Sequence, residues 1–170
     1  MPADLSARSD IFWLGGGSGA AKSTIARRLA QKHGMTFYGT DEAMRSHGER
    51  ATPEECPQLD AFRRMTMDER WADRAPEVML DTFHWFRGEG FRFILEDLAS
   101  LPADKPIIAE GFRLLPHLVK PHLASARHGV WLIPTRDFRR KAFEARGTLW
   151  TIAAQTSRPE VALQNLLHRD

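Results

Sequence analysis

GGGSGAAKST (15–24) is the stretch on which the reading of this chain turns. Set against the phosphate-loop pattern G-x-x-x-x-G-K-[ST], Gly16 opens it and Lys22 and Ser23 close it. Ala21 stands where the pattern has its second glycine. Such a pattern has meaning only between a strand and a helix, and both flanks qualify. IFWLGG (11–16) is a short apolar run ended by glycines, as a buried strand is. KSTIARRLAQKHG (22–34) places Ile25 and Leu29 on one face, flanked by Ala26 and Ala30, with Arg27, Arg28 and Lys32 opposite and Gly34 as a stop.

The chemistry follows from that placement. N–H groups at a helix start lack internal acceptors and, with the helix dipole, attract anions. Glycines let the backbone close around phosphate oxygens. The expected nucleotide-binding segment is therefore Gly16, Gly17, Ser18, Gly19, Ala20, Ala21, Lys22, Ser23 and Thr24. Lys22 would reach the β- and γ-phosphates, and the Ser23 hydroxyl would bind Mg²⁺. Ala21 adjoins the helix start, so helical dihedrals are expected there, with Gly17 and Gly19 left to take unusual ones. A positive φ at Ala21 would count for a degraded loop.

Working outward, MTFYG (35–39), KPIIAEG (105–111) and HGVWLIPT (128–135) read as further strands. Helical patterns cover 40–47 (with Thr40 or Asp41 as N-cap), 59–86 with a break near Pro76, 91–101, 114–126, 135–147 and 157–170 (with Ser157 as N-cap). Residues 48–58 read as a loop. Strands alternating with helices predict an α/β fold, a parallel sheet with helices on both faces.

The 170 residues fit one domain, and 42% apolar content is enough for a core. A net charge of +2 is weakly basic; it suits anionic ligands without arguing for nucleic acid. One cysteine, Cys56, excludes an internal disulfide and a thiolate zinc cluster. The seven histidines form no H-x-H or H-x-x-x-H pair. There is no signal-like apolar stretch at the N-terminus and no run long enough to span a membrane, so no membrane partner and a cytoplasmic location are expected. No pattern specifies an oligomeric state.

GGSGAAKST resembles the phosphate loop of small P-loop kinases, the group of nucleoside-monophosphate kinases, gluconate and shikimate kinases and chloramphenicol phosphotransferases. The resemblance runs over 11–147. It implies a three-layer P-loop nucleoside triphosphate hydrolase fold, ATP and Mg²⁺ as cofactors, and phosphoryl transfer to a hydroxyl. In FYGTDEAM (37–44), Asp41 matches the carboxylate that contacts the acceptor hydroxyl or takes its proton. Glu110, closing the apolar IIAEG (107–111), matches the carboxylate that supports Mg²⁺. TRDFRRKAFEARG (135–147) resembles the arginine-rich lid, with Arg136 and Arg140 on one helical face and Arg139 and Arg146 on another. Residues 59–101 fall where these enzymes build the acceptor site. The resemblance also implies a fifth strand after the lid: either TLWTIAA (148–154) is that strand, or the chain is a piece lacking it. The expected activity is an ATP-dependent kinase for a small-molecule hydroxyl. A 5′-hydroxyl polynucleotide kinase and a nucleotide-binding protein without kinase activity stand as alternatives. The absence of an N-K-x-D string speaks against a GTPase.

Overall fold

A computed structural model describes Leu5 and residues 8–169. The N-terminal stretch read for a targeting signal lies mostly outside them. In chain order the elements are β1 (Ile11–Gly16), α1 (Lys22–His33), β2 (Thr36–Gly39), α2 (Met44–Arg50), α3 (Pro57–Arg64), α4 (Met67–Trp71) and α5 (Pro76–Asp81). Then come α6 (Phe91–Ser100), β3 (Ile107–Glu110), α7 (Pro116–Val119), β4 (Gly129–Leu132), α8 (Arg136–Arg146), α9 (Thr148–Ala153) and α10 (Pro159–Arg169). The chain divides into two compact units, Met1–Arg50 with Gly90–Pro134, and Ala51–Glu89 with Thr135–Asp170.

The first unit is built on a four-stranded sheet in the order β2-β3-β1-β4. Every pairing is parallel, with Leu14 opposite Glu110 and Gly39 opposite Glu110 on the other side. All four strand expectations hold. Alternation along β1 and β3 sorts side chains to two faces. Ile11, Trp13, Ile107 and Ala109 pack with Phe91, Ile94, Leu95 and Leu98 of α6 and with Leu114 and Val119. Leu14 and Ile108 pack on the other face with Ala26 and Ala30 of α1. The α/β expectation is met: a parallel sheet with helices on both faces.

Helix α1 corrects the expected stripe. Its buried residues are Lys22, Ala26 and Ala30, spaced i, i+4, i+8, whereas Ile25 and Leu29 stay 38% and 37% exposed. Alanine has no bulk beyond Cβ, so the helix lies close on the sheet and the branched residues fall to its flanks. Helix α6, part of the 59–101 segment, packs in the core of the sheet unit.

The second unit is helical, with a core of Trp71, Ala72, Met79, Phe143, Leu149, Ala153, Ala162 and Leu166. The segment 59–86 breaks into three short helices rather than one break near Pro76. Met65, in extended backbone, ends α3, and Thr66 restarts the chain with a capping box to Glu69. TLWTIA is helical, with Leu149 and Ala153 buried one turn apart, so it is not a fifth strand. Helix α10 starts at Pro159, with Ala162 N–H donating to Arg158 O at 3.0 Å. Ser157 therefore lies outside its cap, and its N–H donates to Asp68 Oδ1 at 2.7 Å. The 114–126 pattern gives only α7 and a following 3₁₀ turn at Lys120–His122. Among the described residues no helix is long and apolar enough to cross a membrane.

Candidate functional site

Three strand ends meet at the carboxyl edge of the sheet. Thr40 N–H donates to Glu110 O at 2.8 Å, and Gly111 N–H donates to Leu14 O at 3.2 Å. Gly111 sits at φ 154, and a Cβ there would overlap the Thr40 hydroxyl. Glycine is what allows β2 and β3 to end so close together. This edge brings Asp41, Glu110 and the glycine loop into one neighbourhood, as ligand sites of open α/β sheets require.

The loop itself is closed by its own contacts. Gly17 N–H donates to Leu132 O at 3.0 Å, and Ala20 N–H reaches back to Gly17 O at 3.4 Å. Lys22 is only 7% exposed, and its Nζ donates to the same Gly17 carbonyl at 2.9 Å. The ammonium thus bridges the mouth of the loop. Positive φ angles fall on Gly16 and Gly19, not on Gly17 as expected. A Cβ on Gly15 would run into Leu114 O and the Trp131 indole, and one on Gly16 into Leu132 backbone. Two of the leading glycines are therefore demanded by packing of the loop's own unit.

Ala21 overturns its expectation. It lies at φ 58, ψ 19, the one non-glycine residue with positive φ among those described. Residue 21 is the cap through which the chain turns into α1, with Ile25 N–H donating to its carbonyl at 3.1 Å. The αL conformation costs an alanine on the order of 1–2 kcal/mol. That strain counts toward the degraded-loop alternative.

The carboxylates gather as expected. Glu110 is 3% exposed, with Ser23, Lys22, Asp41 and Glu42 near its carboxyl. Burial pushes the Glu110 carboxyl above its ordinary range; the negative charges of Asp41 and Glu42 push the same way, while Ser23 and Lys22 oppose them. Glu42 is ion-paired with Arg27. Helix α2 begins only at Met44, whose N–H meets Asp41 O at 3.4 Å. Asp41 therefore does not cap that helix, and neither does Thr40.

No family model matches this chain, and no curated protein matches it.

Among the described residues no group of three His, Cys, Asp or Glu could hold a metal. The donors present fit a different arrangement. Mg²⁺ keeps several waters and takes one or two protein oxygens plus phosphate oxygens. A buried Glu110 near the Ser23 hydroxyl, with Asp41 and Glu42 adding negative charge, fits that requirement.

The remaining expected residues are on α8. Arg136 and Arg140 belong to the second unit, on the exposed side of α8. Arg140 Nε donates to Glu144 Oε1 at 2.9 Å, and Arg139 Nη2 donates to Leu167 O at 2.9 Å, tying α8 to α10.

One cluster escaped sequence reading. His47 is fully buried and Arg113 is 2% exposed. Asp97 of α6 accepts from His47 Nε2 at 2.6 Å, from Tyr38 Oη at 2.8 Å and from Arg50 Nη1 at 2.8 Å. Arg113 Nη1 meets His47 Nδ1 at 2.8 Å, and its Nη2 donates to Gly90 O at 3.2 Å. Burial holds the His47 pKa below its ordinary value; Asp97 opposes, and Arg113 and Arg50 reinforce the depression. Burial would raise Asp97, but its hydrogen bonds from His47, Tyr38 and Arg50 win and hold it low. Burial, then Asp97, push the Tyr38 phenol far up. These residues are scattered over 38–113, and no spacing rule joins them.

Proposed function

We propose that this chain is an ATP-dependent phosphotransferase acting on a hydroxyl of a small molecule. The observation that carries the reading is the buried Glu110 carboxyl near Ser23 and Asp41, beside a loop whose Lys22 is folded onto Gly17 O. The backbone of 16–22 holds the phosphates, and Lys22 exchanges its carbonyl partner for phosphate oxygens. Bound Mg²⁺, held by Ser23 and Glu110, would supply charge neutralisation on the phosphates. Asp41 orients the acceptor hydroxyl and takes its proton as the oxygen bonds to the γ-phosphorus and ADP leaves. Arg136 and Arg140 are the lid groups assigned to the charge on the transferred phosphoryl. The left-handed Ala21 favours a second reading, a nucleotide-binding protein without kinase activity.

Lys22→Ala is expected to weaken ATP binding and abolish turnover; unchanged binding and turnover would sink the proposal. Asp41→Asn is expected to keep ATP affinity and lower turnover by about 10²–10⁴-fold. An acceptor screen, with a 5′-hydroxyl oligonucleotide among the candidates, separates the readings. ATP binding with no transfer to any acceptor supports the second one.

A further inference from the structure

We infer that Asp97, His47 and Arg113 form a clamp that fixes the Asp41 segment against the end of β3, and that the clamp holds only while His47 is neutral. The inference rests on the reading of Asp41 as the acceptor carboxylate.

The geometry brackets Asp41. Tyr38 lies three residues before it and His47 six after, and one oxygen of Asp97 accepts from both, at 2.8 and 2.6 Å. The other oxygen accepts from Arg50 at the end of α2. A single carboxylate on α6 therefore pins both ends of 38–50, and Asp41 sits in the turn between them. Arg113 fixes the same histidine from the segment that leaves Glu110 and Gly111.

The protonation state follows from donor counting. A guanidinium has donors only, so the 2.8 Å contact makes His47 Nδ1 an acceptor. The imidazole proton then sits on Nε2 and goes to Asp97. A second proton on Nδ1 would face the Arg113 N–H directly, and that hydrogen bond would be lost. The groups facing His47 are Asp97 of α6, Tyr38 of β2, Arg50 of its own helix and Arg113; Glu96 of α6 is taken up by Arg50 and Arg92. Among the described residues Asp97 is the anion hydrogen-bonded to His47, and it already accepts three donors.

These are positioning residues. The test reads amide-exchange protection over 41–46 in the nucleotide-free protein, between about pH 7.5 and 5.5. Wild-type protection is expected to fall by up to about tenfold on acidification. His47→Gln keeps an acceptor for Arg113 and a donor for Asp97 without titrating, so its protection should stay level across that range. His47→Ala and Asp97→Asn should lose the protection at both ends. ATP hydrolysis with Mg²⁺ and no added acceptor should follow the same pattern, while the Kd for a non-hydrolysable ATP analogue changes less than about twofold. The clamp is overturned if His47→Gln shows the wild-type acid loss, or if His47→Ala keeps wild-type protection. A wild type that neither binds nor hydrolyses ATP overturns the functional reading instead, and the exchange data still decide the clamp.

Discussion

Ala21 turns the chain into α1 through a left-handed conformation at φ 58 that glycine takes freely. The sequence showed the substitution but not its dihedral, because the residue before Lys22 could be the last of the loop or the first of the helix. Spacing does not distinguish these, and the structure makes it the cap. Relief of αL strain outweighs the extra freedom glycine gives the unfolded chain, so Ala21→Gly should stabilise the sheet unit by on the order of 0.5–1 kcal/mol. The opening free energy of β1 amides, read by hydrogen exchange, measures this. An unchanged or lower value would mean that Ala21 is not held at positive φ in solution. Gly111→Ala should act oppositely, because its Cβ would strike the buried Thr40. A loss of several kcal/mol in the same measurement is expected, from overpacking and positive φ together, about 1–3 kcal/mol each.

At the level of elements, the strands were legible because each is a short apolar run ended by glycine, threonine or a carboxylate. The helices were legible as helices but not as partners. Helix α6 has a strong apolar stripe, yet periodicity does not say which layer it covers; Phe91, Ile94, Leu95 and Leu98 cover the sheet. Helix α1 misled in another way, since hydrophobicity pointed to Ile25 and Leu29 while close approach selected Ala26 and Ala30. A pair of leucines tests the assignment. Leu98 is fully buried in the sheet core, and Leu80 is 47% exposed on α5. Leu98→Ala should cost about 2–5 kcal/mol in the opening of β3 amides. Leu80→Ala should stay within about 0.5 kcal/mol in the opening of α5 amides. Equal effects would place α6 outside the core.

Over the whole molecule, strand–helix alternation announced the parallel sheet, but two units were not legible. The helical unit is assembled from 51–89 and 135–170, and nothing in either segment marks the other as its partner. The polar centre of the sheet unit was equally hidden, because Tyr38, His47, Asp97 and Arg113 come together only through the fold. That centre sets how the unit responds to acid. Burial depresses the His47 pKa below its ordinary value of 6.5 in the folded chain. Above that pH neither state binds the proton, and the neutral network contributes fully. Below it the unfolded chain takes up a proton that the folded chain refuses, so stability falls as pH drops toward the depressed folded value and then levels. Asp97 is held below its ordinary value of 3.8, so its contribution is present above that pH and is lost as pH falls through the lower folded value. Acid should therefore weaken the sheet unit in two stages, one beginning near the histidine value and one below the carboxylate value. Opening free energies of β3 amides across a pH series give the curve. His47→Gln removes the first stage and leaves the second, because the carboxamide does not titrate while Asp97 still does. If the upper stage survives that substitution, His47 is not its origin, and a different histidine must be taking up the proton on unfolding.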